Sequence, residues 1–230
     1  MIDRIRLAGH GTAEVIQHGQ TWFEADLHLR TVLLPNDPDG VYVPPFDHAD
    51  IWTGASGMVD EIEEDLGGCA DVVVCSVGGG GLFCGIMQGL EHSTGTKIIA
   101  VETKGADSLA QSVAAGELIT LPGITSIATS LGATRVASQA LKYAQEDRVK
   151  CWVVSDEQAC GACVRFADGE RMLVEPACGA ALSVVYEDLL RDRALRLAKE
   201  SRVVVVVCGG VGVGVEMIAE WRAAGLGSRR

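Results

Sequence analysis

Apolar positions along the chain follow two alternating patterns. Short apolar runs of strand length occupy residues 72–77, 97–102, 149–154 and 203–207, and the last, a continuous β-branched run, is typical of a strand buried on both faces. Between them, apolar residues recur every three or four positions, as on one face of a helix. This alternation predicts an α/β fold with a mostly parallel, twisted sheet and flanking helices.

The glycine-rich stretch after the first run is the strongest candidate for binding chemistry. Four consecutive glycines, residues 78–81, separate the run from a helical pattern formed by Leu82, Ile86, Met87 and Leu90. A glycine loop before a helix lets backbone N–H groups face an anion, which favours phosphate binding. A tight turn without a ligand is the alternative. The string matches neither the P-loop nor the dinucleotide fingerprint.

Helix start and stop signals predict the remaining elements. A capping box at residues 155–158 starts one helix, and Pro176 starts another. Further helices are predicted at residues 107–115 and 134–143, and residues 121–132 are expected to be irregular. Ile51, Met58, Ile62 and Leu66 form the apolar face of an earlier helix that Asp47 or Asp50 caps and Gly67-Gly68 ends.

The first 45 residues carry weaker patterns. Ile2, Ile5 and Leu7 indicate a short helix, and residues 21–29 indicate another with Phe23 and Leu27 on one face. Residues 13–16 and 41–46 resemble short strands, the second entering a proline turn.

One carboxylate and one pair of cysteines near these elements are further candidates for a functional site. Glu102 ends the second predicted strand, at the sheet edge where open α/β folds bind ligands, although a solvated carboxylate is the ordinary alternative. Cys160 and Cys163 have a redox or zinc spacing. They lie inside a capped helix with no second ligand pair nearby, so a structural role is predicted. The five histidines form no ligand pattern in sequence, and surface positions are expected.

Composition narrows the class of partner. The chain is 48% hydrophobic and 5% aromatic, with a formal net charge of −12, which argues against nucleic acid or an anionic membrane as a partner. No signal peptide or apolar run of membrane-spanning length is present in this sequence. Several of the eight cysteines lie in apolar runs, as small buried hydrophobes do. A reduced, cytoplasmic protein is therefore expected.

Four short sequence strings resemble one enzyme family, and they occur along this chain in the same order as in that family. They are Ser-Val-Gly-Gly-Gly-Gly-Leu (76–82), Tyr-Val-Pro-Pro-Phe-Asp (42–47), Leu-Val-Glu-Pro-Ala-Cys-Gly-Ala-Ala (173–181) and Val-Cys-Gly-Gly (207–210). They resemble the serine/threonine dehydratases, pyridoxal-phosphate enzymes of the tryptophan-synthase-β fold (fold type II), and are most similar to the animal-type L-serine ammonia-lyases. The resemblance implies β-elimination of serine, a small amino acid, to pyruvate and ammonia by a homodimer.

The same resemblance assigns roles to individual residues. Those implied to hold the pyridoxal phosphate are Gly78, Gly79, Gly80, Gly81 and Leu82 on the phosphate, Phe46 beside the cofactor, and Cys208 on the pyridine nitrogen. Glu175 would lie at the edge of the site. A monovalent cation, potassium, would be bound by Glu102 and the backbone carbonyls near Ala106, Leu131 and Ala133.

One departure from the family pattern limits these implications. The family's Schiff-base lysine lies in a Ser-Phe-Lys-x-Arg-Gly string that this sequence lacks, and none of its five lysines (Lys97, Lys104, Lys142, Lys150, Lys199) has that context. No catalytic residue is therefore assigned. We expect the chain to begin partway through the family's small domain, with residues 1–45 a remnant of it and residues 46–230 the large, cofactor-binding domain.

Three functional hypotheses remain open from the sequence. The first is a truncated L-serine/L-threonine ammonia-lyase that is inactive alone because the lysine is absent. The second is a non-catalytic relative that binds a phosphate ligand or a full-length subunit. The third is a different nucleotide-binding α/β protein. The residues do not distinguish serine from threonine as the substrate.

Overall fold

The chain divides into two compact units, Met1–Pro45 and Phe46–Arg230. The computed structural model describes residues 2–93, 95–191, 195 and 197–228. That the first unit is part of a small domain stays a prediction.

The second unit is built on a four-stranded parallel sheet. Its strands are β1 (Val72–Ser76), β2 (Lys97–Thr103), β3 (Val149–Val154) and β4 (Val203–Val205), in the order β3-β2-β1-β4. All three neighbouring pairs are parallel, so all four strands end at the same edge of the sheet. The predicted α/β class is confirmed.

The last strand differs from its prediction. β4 spans only three residues, and each is half-buried rather than enclosed on both faces. Its one partner among the described residues is β1, so β4 lies at an edge of the sheet. The composition of an apolar run predicts a strand, but it does not show whether that strand lies in the middle or at the edge of the sheet.

Seven α-helices are described in this unit, and most were predicted within a few residues. They are α3 (Ala49–Leu66), α4 (Gly81–Gly89), α5 (Ser108–Ala115), α6 (Ser138–Ala144), α7 (Asp156–Glu170), α8 (Pro176–Tyr186) and α9 (Val215–Ala223). The capping box at Ser155 and Gln158 is confirmed. α6 begins at Ser138, four residues later than predicted.

The cap of α3 was assigned wrongly from the sequence. Neither Asp47 nor Asp50 is the cap; it is His48, whose Nδ1 accepts the Asp50 N–H at 3.2 Å. The C-terminal prediction is confirmed, because Gly67 ends α3 in the left-handed conformation.

Opposite faces of the sheet support separate apolar cores. On one face, Val73 and Cys75 pack with α4 residues such as Phe83 and Ile86. On the other, Val72 and Val74 belong to a cluster with the small α8 side chains Ala177, Ala180, Ala181 and Val184. Alternate residues of β1 therefore serve both cores, as the two-residue period of a strand requires.

Helices α3 and α4 approach each other through glycines. A Cβ added at Gly89 would lie 2.6 Å from Val59 Cγ2, and one at Gly85 would lie 2.5 Å from Ala55 Cβ. No larger side chain fits at this interface without a shift of one helix.

The first unit contains α1 (Ile2–Ala8) and α2 (Trp22–His28), followed by a π-helical turn at Leu29–Leu33 and a 3₁₀ turn at Leu34–Asn36. Asp26 is buried and accepts hydrogen bonds from Tyr42 Oη at 2.6 Å and Arg30 Nε at 2.9 Å. Both predicted helices are confirmed.

Neither segment predicted as a strand near the N-terminus forms one. Residues 13–16 and 41–46 are irregular. An isolated strand has no backbone partners for its N–H and C=O groups, and neither segment has a neighbouring strand to supply them. None of the described helices combines the length and apolarity needed to cross a bilayer.

Candidate functional site

The glycine loop presents a row of backbone donors at the start of α4. Val77 N–H donates to Val101 O at 2.8 Å, and the carbonyls of Gly79 and Gly80 accept from Ala137 and Cys84. For the N–H groups of residues 78–83, in contrast, no acceptor is found among the described residues. Gly80, Gly81 and Phe83 are buried. Buried donors without a partner carry a desolvation cost, so this loop is suited to an anion.

The glycines are required because the loop is tightly covered. A Cβ at Gly79 would lie 2.2 Å from Phe46 Cγ, and one at Gly78 would lie 3.0 Å from Leu131 Cα. Gly80 has φ of 94°, a conformation that L side chains rarely adopt. Phe46 is held in place through its carbonyl, which accepts from Trp52 Nε1 at 2.8 Å. The structure thus brings Phe46 to the glycine loop.

A cavity of about 210 Å³ opens at the edge where the strands end. Its walls are the segment 127–130, the start of α8, the loop after β4 and one face of α9. The lining residues are Ile127, Ala128, Thr129, Ser130, Glu175, Pro176, Ala177, Gly212, Val213, Met217 and Trp221. Ser130 O lies 3.1 Å from the Cβ position of Gly78, so this wall also reaches the glycine loop.

The wall at residues 127–130 is fixed by Asp156 at the start of α7. Its two carboxylate oxygens accept from Ser126 Oγ at 2.6 Å and from Ile127 N–H at 3.1 Å. Ser126 Oγ also accepts the Ala128 N–H at 3.0 Å and lies 2.8 Å from Thr103 Oγ1. Sequence reasoning missed this wall and its support, although a segment rich in Ser and Thr followed by an acidic residue at a strand end was a usable signal.

Cys208 follows β4 and is exposed, outside the set of residues that line the cavity. The pKa of its thiol is raised, first because the thiol hydrogen-bonds to Cys178. Next to it, Gly209 O accepts the Glu175 N–H at 3.1 Å, which ties this segment to the start of α8. Cys208 is thus a neutral thiol beside Glu175, which does line the cavity.

Glu102 is fully buried, so the solvated alternative is wrong. Its oxygens accept the N–H groups of Leu109 at 2.8 Å and Ala110 at 2.7 Å in the first turn of α5. Burial raises its pKa to about 8, and these two hydrogen bonds lower the pKa only in part. With this pKa the carboxyl is mostly protonated at neutral pH. To be ionised there, it would need a nearby positive charge, which no described side chain supplies by an ion pair.

The three residues predicted to bind a cation together with Glu102, namely Ala106, Leu131 and Ala133, are buried. Ala106 N–H donates to Thr103 O, Leu131 O accepts from Ala133 N–H at 2.8 Å, and Ala133 O accepts from Ser108 Oγ at 3.2 Å. Each carbonyl has two lone pairs, so these hydrogen bonds leave acceptor capacity for a cation.

None of the five lysines lines the cavity. Lys97 begins β2, at the sheet edge opposite to the glycine loop, and its Nζ donates to Leu195 O. The other four, Lys104, Lys142, Lys150 and Lys199, are exposed. A proton acceptor has to reach its substrate within hydrogen-bond distance, so none of these amines serves as the base at this cavity.

Comparison with known proteins identifies the family. Residues 1–209 match the sequence profile described as "Pyridoxal-phosphate dependent enzyme". This chain belongs to that family. The rat protein named "Serine dehydratase-like" is 44% identical over 227 residues, which are 94% of this chain and 66% of the relative. The human "L-serine dehydratase/L-threonine deaminase" is 41% identical over 94% of this chain and 66% of the relative.

Solved structures agree with the family assignment. A fungal L-serine ammonia-lyase from Rhizomucor miehei superposes with a TM-score of 0.87 at 36% identity, over 96% of this chain and 70% of that one. The processed threonine deaminase isoform 2 of Solanum lycopersicum gives a TM-score of 0.82 at 25% identity, over 98% and 60%. This family member thus has the fold-type-II, tryptophan-synthase-β-like architecture, and it spans about two thirds of the length of the curated relatives.

The family's cofactor can be tested against the donors of this chain. Pyridoxal phosphate carries a dianionic phosphate, and the row of N–H groups at residues 78–83 without protein acceptors is suited to it. The cavity walls reach the same loop. The residues present therefore fit the phosphate end of the cofactor.

Proposed function

We propose that this chain carries the phosphate- and ring-binding part of a pyridoxal-phosphate-dependent L-serine (L-threonine) ammonia-lyase, which converts serine to pyruvate and ammonia. The observation that carries the proposal is the row of backbone donors at residues 78–83, next to a cavity at the strand ends. Relatives named serine dehydratase at 41–44% identity support the choice of reaction.

The proposal assigns a role in cofactor binding to each of these residues. Gly78 to Leu82 bind the phosphate through backbone N–H groups, and Phe46 covers this loop. When bound, the cofactor supplies the electron sink that makes the Cα proton of the amino acid acidic. Cys208 is proposed to hold the pyridine nitrogen; as a neutral thiol it would leave that nitrogen unprotonated, which would favour elimination over reactions that need a long-lived carbanion.

The buried carboxylate has a structural part. Glu102 and the carbonyl oxygens of Ala106, Leu131 and Ala133 are proposed to bind potassium, whose charge compensates the buried carboxylate. The cation would join the end of β2 to the start of α5 and to the segment before α6. Oxygen donors of this kind suit a hard cation.

For the 230-residue polypeptide by itself, we consider a second candidate function, which is binding without catalysis. Because no lysine lines the cavity, we expect cofactor binding without turnover, as in a non-catalytic relative that binds a phosphate ligand or another subunit. A reduced, cytoplasmic location and a homodimer complete the proposal; the eight unpaired cysteines are consistent with that location.

The decisive experiment compares two forms of the cofactor and two glycine variants. The chain should bind pyridoxal 5′-phosphate at least tenfold more tightly than pyridoxal, measured by equilibrium dialysis with detection of cofactor absorbance. Gly79→Ala should abolish this preference, because the new Cβ would lie 2.2 Å from the Phe46 ring. Gly123→Ala is the matched control, since an added Cβ there meets nothing within 4 Å.

The two hypotheses are separated by a second readout on the same samples. Binding of pyridoxal phosphate with no pyruvate from added serine supports the second candidate for the chain alone. Pyruvate formed at ordinary turnover rates would contradict our inference that no lysine acts as a base in this cavity. Equal affinity for pyridoxal and its phosphate would contradict the glycine loop as the phosphate site.

A further inference from the structure

Three potential metal ligands converge on the side of the second unit away from the cavity. Glu63 lies in the last turn of α3, Cys69 precedes β1, and His92 follows α4. One ligand atom from each lies within 4.8 Å of those of the other two. The histidine Nε2 is 2.9 Å from one Glu63 oxygen and 3.0 Å from the other.

The thiol also belongs to this arrangement. The pKa of the Glu63 carboxyl is lowered, first because the Cys69 thiol hydrogen-bonds to it and then because of His92. The side chain of Glu63 is 20% exposed and that of His92 is 54% exposed, so a metal ion can enter from solvent and retain a water ligand. All three ligand groups thus face one point at the surface.

We propose that Glu63, Cys69 and His92 bind a zinc ion, with water as the fourth ligand. A thiolate, an imidazole and a carboxylate are the zinc donors found in proteins, whereas magnesium and calcium prefer oxygen alone. Bond lengths near 2.1 Å in a tetrahedron place neighbouring ligand atoms about 3.4 Å apart. The His92–Glu63 distances of 2.9 and 3.0 Å are somewhat shorter than that value, and the Cys69 sulfur lies within 4.8 Å of both groups, so small side-chain rotations complete the site.

Neighbouring arginines fix the backbone that carries the ligands. Arg202 donates to Leu66 O at 3.1 Å and to Cys69 O, and Arg148 donates to Leu90 O at 3.1 Å and Ser93 O at 2.8 Å. Because both guanidinium groups are bonded to carbonyls, they hold the segments before β1 and after α4 in place. A site held in this way loses less entropy when the metal binds.

The position of the cluster indicates a structural role. The glycine loop starts α4 and His92 follows its end, so the nine residues of α4 place the two sites about 13 Å apart or more. The zinc would join the ends of α3 and α4, which pack closely through Gly85 and Gly89, to the segment before β1. We assign it no part in the elimination reaction.

Metal titration of the whole chain tests the proposal. Protein freed of metal with a chelator should bind one equivalent of zinc with submicromolar affinity, measured by competition with a chromophoric chelator. Cobalt should give the near-ultraviolet absorption of a thiolate–cobalt bond. His92→Gln and Cys69→Ser should each weaken zinc binding at least tenfold and remove that absorption. Zinc should raise the melting temperature of the wild type but not of the variants.

The control variant removes a histidine from a different cluster. His28 stacks on His18 in the first unit, with ring centroids 3.8 Å apart, and His28→Gln should leave zinc affinity and the cobalt spectrum unchanged. The far-ultraviolet circular dichroism of all metal-free proteins should be the same, since the substituted side chains are partly exposed. Loss of binding in His28→Gln alone, wild-type affinity in His92→Gln, or no zinc bound at micromolar concentration would each overturn the proposal.

Discussion

Glu102 is completely buried, so its carboxyl is mostly protonated at neutral pH unless a positive charge compensates it. Two α5 N–H groups bind its oxygens, yet its pKa remains raised to about 8 because burial penalises the carboxylate. Hydrogen bonds to neutral donors therefore compensate only part of the desolvation cost. Protonation avoids the rest of that cost at neutral pH, and a bound cation would instead allow the carboxyl to ionise.

Potassium should therefore stabilise the folded chain through Glu102. We expect 100 mM potassium chloride to raise the free energy of unfolding by about 1–3 kcal/mol over the same concentration of choline chloride, as for a ligand that binds only the native state. Glu102→Gln should remove this difference, because the neutral amide gives the cation no charge. Thermal denaturation followed by circular dichroism measures both effects.

The choline series controls for ionic strength in that experiment. A Glu102→Gln variant that responds to potassium as strongly as the wild type would contradict the cation site. So would a wild type that melts at the same temperature in both salts.

The sequence predicted the position of Glu102 but not its surroundings. A carboxylate after an apolar run was correctly placed at the end of β2. Its burial depends on α5, whose first turn folds back to cover it, and no local pattern reports that return. The same reason explains why Asp156 was missed, because its partners, Ser126 and Ile127, lie about 30 residues earlier in the chain.

At the scale of elements, the α3–α4 interface depends on the absence of side chains. Gly89 faces Val59 Cγ2 and Ser56 O, at 2.6 and 2.9 Å from the position its Cβ would take. Glycine weakens an isolated helix, so its presence in α4 indicates a packing requirement rather than a helix signal. This close contact brings α4 against α3 with its N-terminus at the cavity side.

Two glycine-to-alanine substitutions should therefore have opposite effects. Gly89→Ala should lower the free energy of unfolding by about 1–3 kcal/mol, because overpacking outweighs the gain in helix propensity. Gly54→Ala, in α3 where an added Cβ meets nothing within 4 Å, should raise it by about 0.5–1 kcal/mol. Urea denaturation of the two variants and the wild type gives the comparison.

The pair of substitutions provides its own control, since each adds one methyl group to a helix. Stabilisation by Gly89→Ala would contradict the close packing described for this interface. Destabilisation by Gly54→Ala of similar size would mean that the α3 surface at that position is not free.

Element prediction from the sequence succeeded where tertiary partners were present. The core runs became β1, β2 and β3, and capping residues located α7 and α8. Residues 13–16 and 41–46 have strand-like composition but no adjoining strand, so they are irregular. His48 took the cap of α3 because an imidazole nitrogen accepts an N–H as a carboxylate does, a choice that composition does not reveal.

At the scale of the whole molecule, the burial of the eight cysteines shows which parts of the protein are shielded from solvent. Five are buried, namely Cys75, Cys84, Cys160, Cys163 and Cys178, while Cys69 and Cys151 are half-buried and Cys208 is exposed. Burial raises the pKa of Cys75, Cys84 and Cys160 to about 12, so these thiols are neutral at ordinary pH. The predicted structural role of Cys160 agrees with this environment.

Thiol titration should follow this division. At pH 8 an aromatic disulfide reagent should modify no more than three of the eight thiols in the native protein, and all eight in guanidinium chloride. Cys160→Ser should leave the native count unchanged, because that thiol is buried and its pKa is raised. Rapid modification of all eight without denaturant would contradict the packed cores described for the second unit.

The pairing of β1 with β4 has a consequence for how the protein is made. Asp71 and Arg202, which join the two strands at one end, are 131 residues apart in sequence. At translation rates of roughly 5–20 residues per second, β1 leaves the ribosome on the order of ten seconds before β4 exists. During that interval its open edge has to be shielded from other chains. Completion of the sheet during synthesis thus depends on the order of the strands in the chain rather than on any single helix.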